Sequence, residues 1–144
     1  MLSKRTKYGL KALIYIARQQ GPAPVLISDI SENERIPKKF LEAILLDLKK
    51  FGILGSKKGK GGGYYLVKEP KSITVATLIR VLDGPIALLP CVSLNYYEKC
   101  EDCPHEDVCA LNKFMAEVRD NTLELLQQRS LYDLAGLKAL SQFP

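Results

Sequence analysis

The 144-residue chain has no tryptophan, two methionines and a single histidine, His105. One imidazole leaves no Ser–His or Cys–His constellation to assign, and no paired acid and base stands out, so an enzyme is not expected. Long hydrophobic runs are also missing. Nothing approaches the roughly 18–20 apolar residues that span a bilayer, and no membrane association is expected. The opening MLSKRTKYGL is basic but lacks the apolar core and small-residue cleavage site of a secretory signal. A cytoplasmic location is therefore expected, where thiols stay reduced and four cysteines suggest metal or redox chemistry more than disulfides. Repeats and low-complexity tracts are absent. A hydrophobic share of 47% with 26% charged residues is that of an ordinary globular chain.

What is present is an uneven charge. Residues 1–70 carry 14 lysines and arginines against six acids, whereas residues 71–144 carry seven against ten. The formal net charge of +5 is thus the average of a basic half and an acidic one. Such a partition suggests that the first half meets a polyanion.

The order of elements sharpens that reading. Ser3 can cap a helix running to about residue 20 and stopped by Gly21, with Leu10, Leu13, Ile14 and Ala17 on one stripe. Ser28 is the expected cap of a short second helix. Pro37 suits the first turn of a third, closed by Gly52, whose apolar stripe is Leu41, Ile44, Leu45 and Leu48. GILGSKK, GKGGG and YYLV then read as a hairpin with a glycine-rich tip. Ser72 or Thr74 opens a fourth helix that buries Val75, Leu78, Ile79 and Leu82. Residues 85–107 form an irregular, cysteine-bearing segment, of a length usual for functional or disordered connections. A long helix over 108–129 and a short one from 131 to about 140 complete the chain.

Helix, short helix, helix and basic hairpin is the order of a winged helix-turn-helix, in which the third helix enters the major groove by its N-terminal residues. Lys38 and Lys39 open that helix, and Lys57, Lys58 and Lys60 stand on the wing, where they can neutralise phosphates. The run GKGKGGGYY is not a phosphate loop, because Gly63 leads into a strand rather than into Lys-Ser/Thr and a helix. Three units are expected: a DNA-binding domain over 1–84, a cysteine-bearing sensor loop over 85–107, and a dimerisation helix with a short C-terminal helix over 108–144. Leu111, Met115, Val118, Thr122, Leu125 and Arg129 alternate at spacings of four and three along the long helix, a seam suited to a homodimer reading a palindrome.

Cys91, Cys100, Cys103 and Cys109 are separated by eight, two and five residues. A loop can fold four such thiolates around one soft metal centre. Zinc sites more often show two close pairs, and only Cys100 and Cys103 form one. His105 reads as a solvated side chain and Met115 as packing. Tyr96 and Tyr97 either shield a cluster from water or simply close the loop.

These stretches resemble the Rrf-type winged-helix regulators of bacteria, the family that includes IscR, NsrR and CymR. The resemblance is carried by SKRTKYGLKALIYIA, IPKKFLEAILLDLKKFGIL, KGKGGGYYLVKEP and ITVATLIRVLDG, and by the cysteine loop before a long helix. It covers essentially the whole chain. It implies a mainly helical fold with a small β-hairpin wing and a homodimer through the long helix. By position, it places Lys39, Phe40 and Glu42 at base-reading sites. Lys57, Lys58, Gly61 and Gly62 fall on the wing that contacts the minor groove or phosphates, and Lys4, Arg5 and Lys7 at phosphate contacts of the first helix. Cluster-binding members use three cysteines of the loop and a fourth ligand, which implies Cys91, Cys103 and Cys109 here. The fourth-ligand positions of two branches are occupied by Asn112 and Lys7, so Cys100 is the expected substitute.

The resulting expectation is a DNA-binding regulator, a repressor by the resemblance, whose operator affinity depends on an iron–sulfur cluster of the [2Fe–2S] or [4Fe–4S] type. The alternative is a cluster-free regulator answering to a protein partner, a small ligand, zinc or thiol oxidation. An iron–sulfur carrier would have no use for the basic wing.

Overall fold

The computed structural model describes residues 2–19 and 21–136. Helix α1 (Lys4–Arg18) begins where Ser3 Oγ accepts the Thr6 N–H at 3.1 Å. Its fully buried side is Thr6, Gly9, Ala12, Leu13 and Ile16, while Leu10, Ile14 and Ala17 of the expected stripe are half-buried. The shift has a packing cause: α1 is covered from several sides, and small residues sit where neighbours come closest. A Cβ on Gly9 would lie 2.7 Å from a methyl of Leu82.

Helix α2 (Ile27–Glu34) starts earlier than expected, after Leu26 and without a side-chain cap, so Ser28 lies inside the helix. The reason is upstream. Val25 exchanges two backbone hydrogen bonds of 2.8 Å with Tyr64, which holds the chain extended up to Leu26. Helix α3 (Lys38–Lys50) follows Pro37, buries Leu41, Ile44, Leu45 and Leu48 as expected, and is followed by Gly52 at φ +76°. The wing pairs β1 (Leu54–Lys57) with β2 (Gly63–Leu66), antiparallel, in the register Leu54↔Leu66 to Lys57↔Gly63.

Thr74 caps α4 (Val75–Leu82), accepting the Thr77 N–H, while Ser72 belongs to a preceding 3₁₀ turn. Beyond Gly84 at φ +103° the chain runs irregularly, with single 3₁₀ turns at Pro90–Val92 and Glu106–Val108. Helix α5 (Ala110–Gln128) lies against α4 and the Pro90–Val92 turn and has no fully buried residue. The one-turn α6 (Leu131–Leu134) carries a Ser130/Asp133 capping box.

One core serves these elements. It includes Leu13, Ile30, Ile36, Leu41, Leu45, Leu48, Leu54 and Leu78, each side chain contributing roughly 1.5–3 kcal/mol on burial. Leu131, at 0% exposure, belongs to the same core. Leu131 N–H donates to Ile73 O at 2.8 Å and Val75 N–H to Arg129 O at 2.9 Å, while Arg18 Nε donates to Ala135 O at 3.0 Å. Residues 129–135, within the C-terminal unit expected over 108–144, are thus joined to α1 and α4 by these bonds. The last part of the expected C-terminal helix, 137–140, lies outside the described residues.

Candidate functional site

Two regions carry the candidate residues. The first is the α2–α3 turn, the start of α3 and the wing. Arg35 closes α2 in the left-handed conformation at φ 54°, ψ 47°, and donates its N–H to Ser31 O. The Ser31 hydroxyl in turn donates to Ile36 O at 2.6 Å, so the turn is fixed before α3 begins. Lys38, Lys39 and Glu42 are exposed on α3. Phe40, 41% exposed, leans its ring edge-to-face on Tyr8, with centroids 5.5 Å apart. Glu42 faces the wing closely enough to add to the effect of burial in raising the Tyr64 pKa.

On the wing, Lys57, Lys58 and Lys60 are exposed and make no ion pair among the described residues. Gly61 is exposed, with open space where a Cβ would stand. Gly62 differs. It is buried, its N–H donates to Gly59 O at 3.0 Å, and a Cβ would lie 2.2 Å from Lys57 O. It shapes the tip from within. Lys4 and Lys7 are exposed on α1. Arg5 makes contacts of its own within the chain. Its guanidinium donates to Leu82 O and to Asp47 Oδ2, each at 2.5 Å, and is half-buried. It is committed to the packing of three helices.

The second region is the cysteine loop. All four cysteines are unpaired and half-buried, and all four line one pocket of about 260 Å³, together with Glu106, Leu111 and Asn112. The local folding has clear causes. The Tyr97 hydroxyl donates to Glu106 Oε2 at 2.6 Å and Cys100 N–H to Oε1 at 3.0 Å, closing on itself the acidic stretch that holds Glu98, Glu101, Asp102, Glu106 and Asp107. These bonds hold the Glu106 carboxyl below the usual carboxylate range, and the same carboxylate raises the Tyr97 phenol. Cys109 is the N-cap of α5, and its sulfur accepts the Asn112 N–H at 3.4 Å. Asn112 Nδ2 donates to the sulfur of Cys91, also at 3.4 Å. Loss of water around Cys103, with Cys109 close by, pushes that thiol up. His105 is exposed. Tyr97 thus closes the loop through Glu106, and Tyr96 is exposed on its rim.

The donors match a soft metal centre in kind and number. Among the described residues, no three His, Cys, Asp or Glu side chains are close enough as they stand to hold one metal ion.

Two features escaped the sequence reading. Arg119, on α5, donates from Nη1 to Val92 O at 2.7 Å, pinning the loop beside Cys91. Phe114, 57% exposed, joins Leu111 at 55% and Leu125 at 54% on the outward side of α5. Met115 and Val118 of the expected seam are half-buried. Spacings of three and four also link 111, 114, 118, 122 and 125, a pattern in the sequence that includes Phe114. No helix among the described residues is long and apolar enough to cross a membrane.

Comparison with known proteins places this arrangement. The chain is 42% identical over 137 residues to an rrf2-like HTH-type transcriptional regulator of Rhodobacter capsulatus, covering 93% of this chain and 91% of that one. It is 31% identical to the HTH-type transcriptional regulator CymR of Bacillus subtilis, covering 94% and 89%. The solved structure of CymR, the global cysteine regulator of B. subtilis, superposes with a TM-score of 0.79 at 30% identity, covering 96% of this chain and 98% of that one. The structure of T. potens IscR gives 0.77 at 26% identity, covering 100% and 92%. The Rrf2 family model, described as an iron-dependent transcriptional regulator, matches residues 2–136. The chain belongs to the Rrf2 family of transcriptional regulators, non-enzymatic proteins whose helix-turn-helix implies DNA binding.

Proposed function

We propose that this regulator acts as a cytoplasmic homodimer on a palindromic operator, and that its affinity for DNA is set by an iron–sulfur cluster at Cys91, Cys103 and Cys109, with Cys100 as fourth ligand. The observation that carries the reading is the convergence of all four cysteines of the chain on one pocket formed by the loop and the start of α5. Lys38, Lys39, Phe40 and Glu42 would read the major groove, while Lys57, Lys58, Lys60 and Gly61 would meet the groove edge and phosphates, with Lys4 and Lys7 beside them. A cluster supplies a redox-labile cross-link among the four thiolates. Around it, Asn112 orients Cys91 and Cys109, Glu106 keeps the acidic stretch folded, and Arg119 holds the loop to α5.

Anaerobic purification with iron and sulfide analysis tests this directly. Iron and acid-labile sulfide in stoichiometric amounts are expected, and Cys91→Ala should lose both and change operator affinity. A colourless protein with stoichiometric zinc would remove the cluster and leave the regulator. The cluster-free alternative is favoured by one observation: Asn112 already satisfies the sulfurs of Cys91 and Cys109 without a metal. Under that alternative a protein partner, a small ligand, zinc or thiol oxidation supplies the signal, and a bare loop predicts unchanged operator binding in Cys91→Ala.

A further inference from the structure

Arg5 stands at a junction that DNA binding alone does not explain. Its guanidinium bridges two elements far apart in sequence: Nη2 meets Asp47 on α3, and Nη1 meets Leu82 O, the last carbonyl of α4. Both bonds are 2.5 Å and charge-assisted, and the side chains are about one-third exposed. The same corner is fixed twice more. Ser3 N–H donates to Asp83 Oδ2 at 3.3 Å, and Gly9 allows Leu82 to lie against α1, with Ile44 of α3 also close.

This corner is where the cysteine loop begins. From Leu82 the chain passes through Gly84 to Cys91, and the far side of that segment is pinned by Arg119 to Val92 O. A displacement of the cysteine pocket therefore bears on the C-terminal end of α4. Arg5 is the only described side chain that joins that end to α3 by hydrogen bonds. A fork bonded to a backbone carbonyl on one side and a carboxylate on the other transmits orientation as well as distance.

We infer that Arg5 is a positioning residue that couples the state of the cysteine pocket to the setting of α3, through Leu82 O on one side and Asp47 on the other. The inference rests on the reading that the pocket controls DNA affinity, but not on which group fills it.

The test uses the full chain, reduced and metal-free, with a fluorescent duplex enriched from random-sequence DNA by the wild-type protein. All four cysteines line the pocket, so N-ethylmaleimide perturbs that pocket and no other thiol. In wild type, alkylation should change DNA affinity by about fivefold or more, the lower range of ordinary site-to-site coupling. In Arg5→Gln and in Asp47→Asn the same alkylation should change it less than twofold, and the double variant should behave like either single one. In unmodified protein, both variants should keep the wild-type slope of log affinity against log salt. A slope shallower by about one unit in Arg5→Gln alone would return Arg5 to a phosphate and overturn the inference. Variants that respond to alkylation like wild type would overturn it while leaving the control of DNA binding by the pocket intact. A wild-type protein indifferent to alkylation would overturn both. Thermal melts confirm folding, and Asp47→Asn keeps the test decisive if Arg5→Gln does not fold.

Discussion

Arg35 is the one described non-glycine residue with a positive φ, and its neighbours leave it no choice. Lys11 Nζ donates to Glu34 O at 2.9 Å on one side, and Ile36 N–H donates to Ser31 O at 3.1 Å on the other. Strain of this kind costs about 1–3 kcal/mol, and the extra chain entropy of a glycine offsets roughly 0.4–1 kcal/mol of it. Arg35→Gly should therefore stabilise the chain, by about 0.5–1 kcal/mol, seen as a higher urea midpoint with an unchanged slope. Gly62→Ala should do the reverse. Its Cβ would collide with the backbone oxygen of Lys57, and a loss of roughly 1–3 kcal/mol is expected in the same titration. Glu106 contributes a pH dependence to the loop. Its folded pKa is depressed, so its two bonds to Tyr97 and Cys100 contribute fully above the ordinary carboxylate range and are lost as pH falls through the lower folded value. Proteolysis of the loop should accelerate across that acidic window, and in Glu106→Gln the loop should be cut readily at neutral pH with a much flatter pH profile.

Among elements, α3 and the wing were the most legible, for a physical reason. The stripe at Leu41, Ile44, Leu45 and Leu48 is a single apolar face at helical spacing, and all four residues are buried as that spacing requires, while a glycine-rich tip between β-formers has few other conformations open to it. The start of α2 was not legible, because the Val25–Tyr64 pairing that fixes it joins residues 39 positions apart. The contacts of Arg5 were equally hidden, since nothing in the sequence near residue 5 points to Asp47 or to Leu82 O. The cysteine loop was legible as a cluster of thiols, whereas the contribution of Asn112 depends on a fold that brings residue 112 to residue 91. The wing now makes a quantitative claim. If Lys57 and Lys58 each neutralise one phosphate, the double alanine variant should flatten the log–log salt dependence of DNA binding by about two units. An unchanged slope would remove these lysines from the interface.

At the scale of the molecule, exposed lysines stand on α1, α3 and the wing, and an acidic stretch lies in the cysteine loop. Helix α5 is the exception to ordinary packing, a 19-residue helix without a buried side chain and with Leu111, Phe114 and Leu125 more than half exposed. A surface of this kind is expected to be an association face. Phe114→Asp with Leu125→Asp should yield monomers by light scattering and weaken binding to a palindromic duplex far more than to a single half-site. The pairing of Thr74 with Ser130 has a different consequence. It anchors α4 and the chain after α5 side by side, and Leu131 is sealed in the core on the far side of that staple. The segment that runs through the loop and along α5 is thus tied to the core at both ends. A single protease cut within 94–107 would leave two pieces that remain associated under native conditions and part only in denaturant. The same cut marks where the chain could be expressed as two complementing fragments that assemble the regulator only when both are present.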